Sequence, residues 1–327
     1  MSIGRVTTSQ LWTSSATNVQ ASKARLSQLS DQASTGLLVT KPSDDPAASA
    51  AILKVLSQQS ANTQYKTNID DGIGWLSSAD STMTTAENLT RQAKDLVIQA
   101  ANSGTSSATS RQALATQLEG VRDDLLGAAN TQYNGRSIFA GTSDSPAAFD
   151  AAYAYQGPER TTANPDGTTT TTAVGSVQRR IGSGPGDVVT VSADGRAAFG
   201  TGDDSVFAQI SAVIAALRDP GYDTDTPDAT TGVTPKDAIT AGIDRLGAAL
   251  TNISAQHAIV GANYARMTGA KAQNATTATA LETQRSGLQD ADTTKTLLDL
   301  KTQELAYQTA LQVTAQVIQP TLMSFLR

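Results

Sequence analysis

Apolar side chains fall at helical intervals toward both ends of this chain, and a turn-punctuated, β-branched texture separates the two helical blocks. Any fold must accommodate that order of helix, extended segment, helix. Near the start, Trp12, Val19, Leu26 and Ala33 recur every seven residues, with Leu29 on the same face. This is the spacing of a helix that lies along a partner helix. The interleaved positions Ser15, Ser22 and Gly36 are small or polar, so the seam is thin. Gly36 stands where a helix would stop. The following Leu37-Leu38-Val39-Thr40-Lys41-Pro42 is an elbow, too β-branched and too abruptly closed by proline to continue it. In Ser43-Asp44-Asp45-Pro46, Asp45 can cap a new helix, Pro46 suits the first helical position, and both carboxylates favour the positive end of the helix dipole.

The helix that begins there is expected to run on Leu53 and Leu56 to about Asn62. A second, longer one is expected through Ile69, Ile73, Leu76, Met83, Leu89 and Leu96 to Ala100, and a third through Leu114, Leu118, Val121, Leu125 and Ala128. Asn134-Gly135 is a turn pair, followed by Ile138-Phe139-Ala140-Gly141. Residues 143–204 are rich in Thr, Gly, Asp and Val. Val174–Ile181 and Asp187–Ser192 read as short strands, Gly182–Gly186 as the loop of a hairpin, and Thr168–Thr172 as an edge strand or a loop. Helical spacing returns at Phe207, Ile210, Val213, Ile214 and Leu217. After an Asp/Pro/Thr connector over Asp219–Pro235, helices continue to the end. The last helix carries two stripes, one of Leu297, Leu300, Tyr307, Leu311, Ile318 and Phe325, the other of Leu298, Leu305, Ala310, Val313 and Val317. Together they are broader than one coiled-coil seam and predict contact with more than one neighbour.

Composition narrows the function. Of 327 residues only 39% are hydrophobic and 4% aromatic, which predicts thin helical seams rather than one thick core. Net charge is −6 and the basic residues are scattered, so no footprint for nucleic acid or anionic lipid is visible. The absence of cysteine and the presence of a single histidine exclude disulfides, thiolate sites and polyhistidine metal centres. The most apolar helical window, Val206–Leu217, is too short to span a bilayer, and Met1–Ser15 does not read as a cleaved signal peptide. His257, in Ser254-Ala255-Gln256-His257, reads as a polar helix-surface residue. Asp223-Thr224-Asp225-Thr226-Pro227-Asp228 lacks the glycine and glutamate of a calcium loop and reads as a solvated turn. No catalytic, cofactor-binding or metal-ligating constellation emerges.

Four segments carry a resemblance. Lys41-Pro42-Ser43-Asp44-Asp45-Pro46-Ala47 resembles the elbow after the first helix of flagellin-type proteins. Asn68-Ile69-Asp70-Asp71-Gly72-Ile73-Gly74-Trp75-Leu76 resembles the start of their long rod helix. Asn130 to Thr142, with Asn134, Gly135, Phe139 and Gly141, resembles the exit from the rod into an outer domain. Ala306–Leu311 with Ile318-Gln319-Pro320-Thr321-Leu322-Met323-Ser324-Phe325-Leu326 resembles their C-terminus. Within this flagellin-like family the motifs are closer to the hook–filament junction proteins than to flagellin itself.

The resemblance implies a mainly α fold with a β-rich insert: a flagellin-like elongated rod whose terminal helices pair as a coiled coil, with an outward-pointing β domain. It implies five segments: an N-terminal helix of the inner coiled coil (1–41), a first part of the helical rod (42–142), a β-rich outer domain (143–204), a second part of the rod (205–285) and a C-terminal coiled-coil helix (286–327). It implies export by the flagellar type III apparatus with a flagellar export chaperone. Assembly would follow into a ring of copies between hook-associated protein 1 and flagellin, outside the cell, with no enzyme activity, nucleic acid or membrane insertion. The assembly seam is expected on Trp12, Val19, Leu26, Leu29, Leu297, Leu300, Leu305, Tyr307, Leu311, Ile318, Leu322 and Phe325. Seams this thin predict terminal segments that stay largely disordered in free copies and order only when neighbouring copies cover them. The alternatives are flagellin, the filament subunit, and more remotely a secreted enzyme or coiled-coil adhesin.

Overall fold

A computed structural model describes residues 8–102, 107–163, 169–222, 226–227 and 232–318. Among the described residues the architecture is mainly helical with three small antiparallel sheets, whose strands fall between the N- and C-terminal helical blocks. The chain divides into two compact units, residues 1–62 with 276–327, and residues 63–275.

In the first unit, helix α1 (Thr8–Thr35) packs along helix α7 (Thr293–Ile318). On α1 the covered face runs on Ser15, Val19, Ser22, Leu26, Leu29 and Ala33, in steps of four and three, with Ala16 and Gln32 beside it. The small residues therefore share the seam with the large ones. Ser22 uses its polarity there: Gln303 Nε2 donates to Ser22 Oγ at 2.8 Å and to its carbonyl oxygen at 3.2 Å. Helix α1 stops at Gly36, whose φ is +71°. Helix α2 (Pro46–Asn102) starts where Asp45 Oδ1 accepts from the amides of Ala47 and Ala48, each at 2.9 Å.

Two sequence expectations need correcting here. Helix α2 is a single element of 57 residues, not two helices divided near Asn62. The stretch Ser57–Asn68 loses its apolar period but contains neither glycine nor proline, so nothing interrupts the backbone ladder. Leu53 and Leu56 are exposed, whereas Ile52 and Val55 are buried. The buried face of α2 is thus turned by one residue, a choice that alternating leucines and β-branched neighbours leave open.

The second unit is built on α2 from residue 63, α3 (Ala108–Ala129), α5 (Val206–Arg218) and α6 (Pro235–Gln289) up to residue 275. Ile69, Leu76, Met83, Leu118, Leu125, Ile210, Ile239, Leu246 and Met267 lie in one continuous buried cluster. Between α3 and α5 the sheets follow in order: β1 (Gln132–Tyr133) with β2 (Arg136–Ser137), β3 (Glu159–Ala163) with β4 (Thr169–Ala173), and β5 (Gln178–Arg180) with β6 (Val188–Thr190). A short helix, α4 (Gly195–Phe199), follows.

The expectation of thin seams fails in this unit, because its few aromatics are concentrated. Phe139, Phe149, Phe199 and Phe207 are almost wholly buried and interlock with ring centroids 5.3–5.9 Å apart. Phe149, Val189, Val191 and Phe199 of the strand-bearing segment belong to the same cluster as the helices. Asn130, just after α3, joins the two by donating from Nδ2 to the Phe149 carbonyl at 3.0 Å and accepting its amide at 2.8 Å. Tyr155 donates its hydroxyl to the Phe139 carbonyl at 2.9 Å, and burial pushes its pKa up.

His257 also departs from expectation. It is not a free surface residue: its half-buried ring spans from α6 to Glu87 and Asp80 of α2. A signal existed in the seven-residue spacing of Asp80 and Glu87, but only packing shows that α6 faces it.

Candidate assembly surface

Helix α7 is apolar on two opposite sides. Leu300, Gln303, Tyr307, Ala310 and Thr314 are half-buried, on the side that meets α1. Leu298 and Leu305 remain 68% and 65% exposed. Each lies two residues from a covered position, and two residues rotate a side chain about 200° around a helix. The open stripe therefore points away from α1. Leu297, Leu311 and Val313 are exposed as well, and Trp12 of α1 is exposed toward its N-terminal end.

The structure thus distributes the expected seam residues. Val19, Leu26, Leu29, Leu300 and Tyr307 are covered within the chain. Trp12, Leu297, Leu305 and Leu311 are not covered within it, because one partner helix reaches only one side of each terminal helix. Ile318 is the last residue of α7, and Leu322 and Phe325 lie outside the described residues.

The elbow is organised by its carboxylates. Asp44 Oδ2 accepts from the Thr40 hydroxyl at 2.9 Å, the Lys41 amide at 3.0 Å and the Thr40 amide at 3.2 Å. The Thr40 hydroxyl bond, then the Lys41 amide, hold its pKa below the usual carboxylate range. Pro42 and Ser43 are exposed beside it. The segment leaving α1 pairs with the break between α6 and α7: Leu38 N donates to Gln289 O at 2.7 Å and Ala291 N to Gly36 O at 2.8 Å. Asp292 Oδ1 then caps α7 through the amides of Thr294 and Lys295, at 2.9 and 3.1 Å. Sequence reasoning passed over this cap, although Asp before Thr-Thr-Lys is an ordinary helix-start signal.

The other motif residues turn and pack the chain in the second unit. Asn134 and Gly135 both take positive φ, +50° and +77°, as the two-residue turn between β1 and β2 requires. Phe139 is fully buried. Gly141 has φ +58°, and a Cβ there would stand 2.6 Å from the Gly175 carbonyl oxygen. Asp223–Asp225 and Asp228 of the acidic turn lie outside the described residues. Among the described residues, no three acidic or histidine side chains gather as metal ligands, and no helix is long and apolar enough to cross a membrane.

Residues 6–144 match the model of the bacterial flagellin N-terminal helical region and residues 243–326 that of the bacterial flagellin C-terminal helical region. The flagellar hook-associated protein 3 of Salmonella typhimurium is 30% identical over 218 residues, 66% of this chain and 67% of its own length. That of Escherichia coli is 27% identical over 306 residues, covering 93% of this chain and 94% of the relative. In fold, the chain is similar to the structure of a flagellar hook-associated protein from Vibrio parahaemolyticus, with a TM-score of 0.59 at 18% identity over 76% of this chain and 100% of the other.

Proposed function

Because the chain belongs to the flagellin-like family of flagellar hook-associated protein 3, structural proteins of the bacterial flagellum, we propose that it is the junction piece that joins the hook to the filament. In this reading it is exported through the flagellar type III apparatus with the help of an export chaperone. It then forms a ring of copies outside the cell, with hook-associated protein 1 on one side and flagellin on the other. The observation that carries the reading is the length of the Escherichia coli match: it takes in both helical blocks and the segment between them, 93% of this chain against 94% of the relative.

Physical chemistry supplies a second support. A soluble helix rarely keeps a continuous apolar stripe in water without a partner for it. Leu298 and Leu305 stand two turns apart on the side of α7 that α1 does not reach, and both are exposed. We assign them, with Leu297, Leu311 and Trp12, to contacts between copies and with the axial neighbours. The terminal segments 1–41 and 286–327 act as the inner helical pair, 42–142 and 205–285 as the body, and 143–204 as the outer segment.

A deletion strain tests the proposal. Without this protein, cells should carry hooks that lack filaments and should release flagellin into the medium; normal filaments would overturn it. The alternative role as filament subunit predicts that purified protein polymerises by itself into long filaments, whereas a junction piece should not.

A further inference from the structure

The chain has one histidine, and both nitrogens of its ring face carboxylates of another helix. Nδ1 of His257 on α6 lies 2.9 Å from Glu87 Oε1, and Nε2 lies 3.0 Å from Asp80 Oδ1. Both acids belong to α2 and stand seven residues apart, on one face of that helix. Ser254, one turn before His257, donates its hydroxyl to the same Glu87 Oε1 at 3.1 Å, and Arg91 Nη2 pairs with Glu87 Oε2 at 2.8 Å. The charged groups acting on the ring are therefore Glu87 and Asp80 from α2, with Arg91 acting through Glu87; Ser254 of α6 adds an uncharged donor.

A neutral imidazole has one N–H and one lone pair, and only the imidazolium donates from both nitrogens. Set between two carboxylates, a neutral ring would point its lone pair at an anionic oxygen about 3 Å away. We propose that His257 is a proton-operated clasp between the two long helices of its unit, holding Asp80 and Glu87 together when doubly protonated and releasing one of them when it loses a proton. Its site, half-buried and bridging two elements, makes the proton a structural component of the helix pair.

The direction of the pH response follows. Burial acts to lower the pKa of the ring, but the hydrogen bonds to Glu87 and Asp80 outweigh it, and the net shift is upward from 6.5. A native pKa above the unfolded one means that the stabilisation is complete below about 6.5 and is lost as pH rises through the native value. The helix pair loosens toward alkaline pH.

A single histidine makes the test direct, because a long-range 1H–15N spectrum of the 15N-labelled full-length chain contains one imidazole. Expected are two protonated ring nitrogens at about pH 5.5, below the usual histidine value, and a titration midpoint above that of the same chain unfolded in urea. Asp80→Asn and Glu87→Gln should each lower that midpoint. In urea unfolding between about pH 6 and pH 9, the wild-type midpoint should fall more than that of His257→Gln, which keeps a hydrogen-bonding side chain but cannot titrate. A neutral tautomer at about pH 5.5, or a midpoint at or below the unfolded value, overturns the proposal. So does an equal pH response in His257→Gln. If a variant fails to fold, the ring titration of the wild-type chain decides alone.

Discussion

Replacing Leu298 and Leu305 together by alanine separates packing within one chain from packing between copies. Both side chains are about two-thirds exposed, at 68% and 65%. Full burial of a leucine is worth ~1.5–3 kcal/mol, so about 1–2 kcal/mol per residue, or about 2–4 kcal/mol for the pair, is unrealised in the single chain. At 1.4 kcal/mol per factor of ten, losing it lowers the association constant of each copy by ~30- to ~700-fold. Alanine favours helix at least as well as leucine, so α7 itself is not weakened. The contrasting change is Leu29→Ala, in a side chain that is 7% exposed. Removing a buried leucine costs about 2–5 kcal/mol of folding stability. Urea unfolding of the purified chain and complementation of a deletion strain, scored by filaments per cell, read the two effects separately. The double variant should unfold like wild type and fail to restore filaments, whereas Leu29→Ala should unfold early. Wild-type filament numbers from the double variant refute the assembly stripe. A loss of stability as large as that of Leu29→Ala refutes the claim that the stripe faces away from the chain.

Gly135→Ala places a Cβ where φ is +77° and no atom stands within 4 Å, so its cost is purely conformational, about 1 kcal/mol; a larger loss in thermal unfolding would point to a contact that the turn does not show. Asp45→Ala removes the acceptor of two amides and should cost about 1 kcal/mol, while Asp45→Asn should recover most of it; equal losses in urea unfolding would contradict the capping role. In acid, burial pushes the Glu87 pKa up, but hydrogen bonds from His257, Ser254 and Arg91 outweigh it and leave the value below 4.5. Its contribution is then present above about 4.5 and lost as pH falls through the native value, so Glu87→Gln should show a shallower loss of stability below about pH 4.5 than wild type.

The parts of the structure legible beforehand are those whose physics is local. Asp45-Pro46 starts a helix because a carboxylate three residues from an amide caps it wherever the chain goes. Asn134-Gly135 turns because left-handed backbone at two successive residues is inexpensive for this pair. The mainly α order with a strand-bearing middle followed from periods of 3.6 and 2. What was hidden in each case depends on a second element. Ser57–Asn68 within α2 looked like a gap because ten of its twelve residues are polar, yet half-buried Gln59, Asn62 and Tyr65 carry the covered face of the helix through it. The buried face of α2 runs on Ile52 and Val55 rather than Leu53 and Leu56 because packing covers only one side of the helix, and a second element chooses which.

The same limit applies to the two most informative sites. Sequence alone determined that α7 carries more apolar surface than one partner can cover, since stripes are written in residue spacing. Which stripe α1 takes, and which it leaves in water, only the tertiary structure decided, because a helix offers its faces equally until a partner docks. Likewise the charges of Asp80 and Glu87 are written seven residues apart, yet their meeting with His257, some 170 residues away, needed α6 to pack against α2. Spacing along a chain determines what each face can offer; contact free energy, summed over distant segments, determines which faces meet.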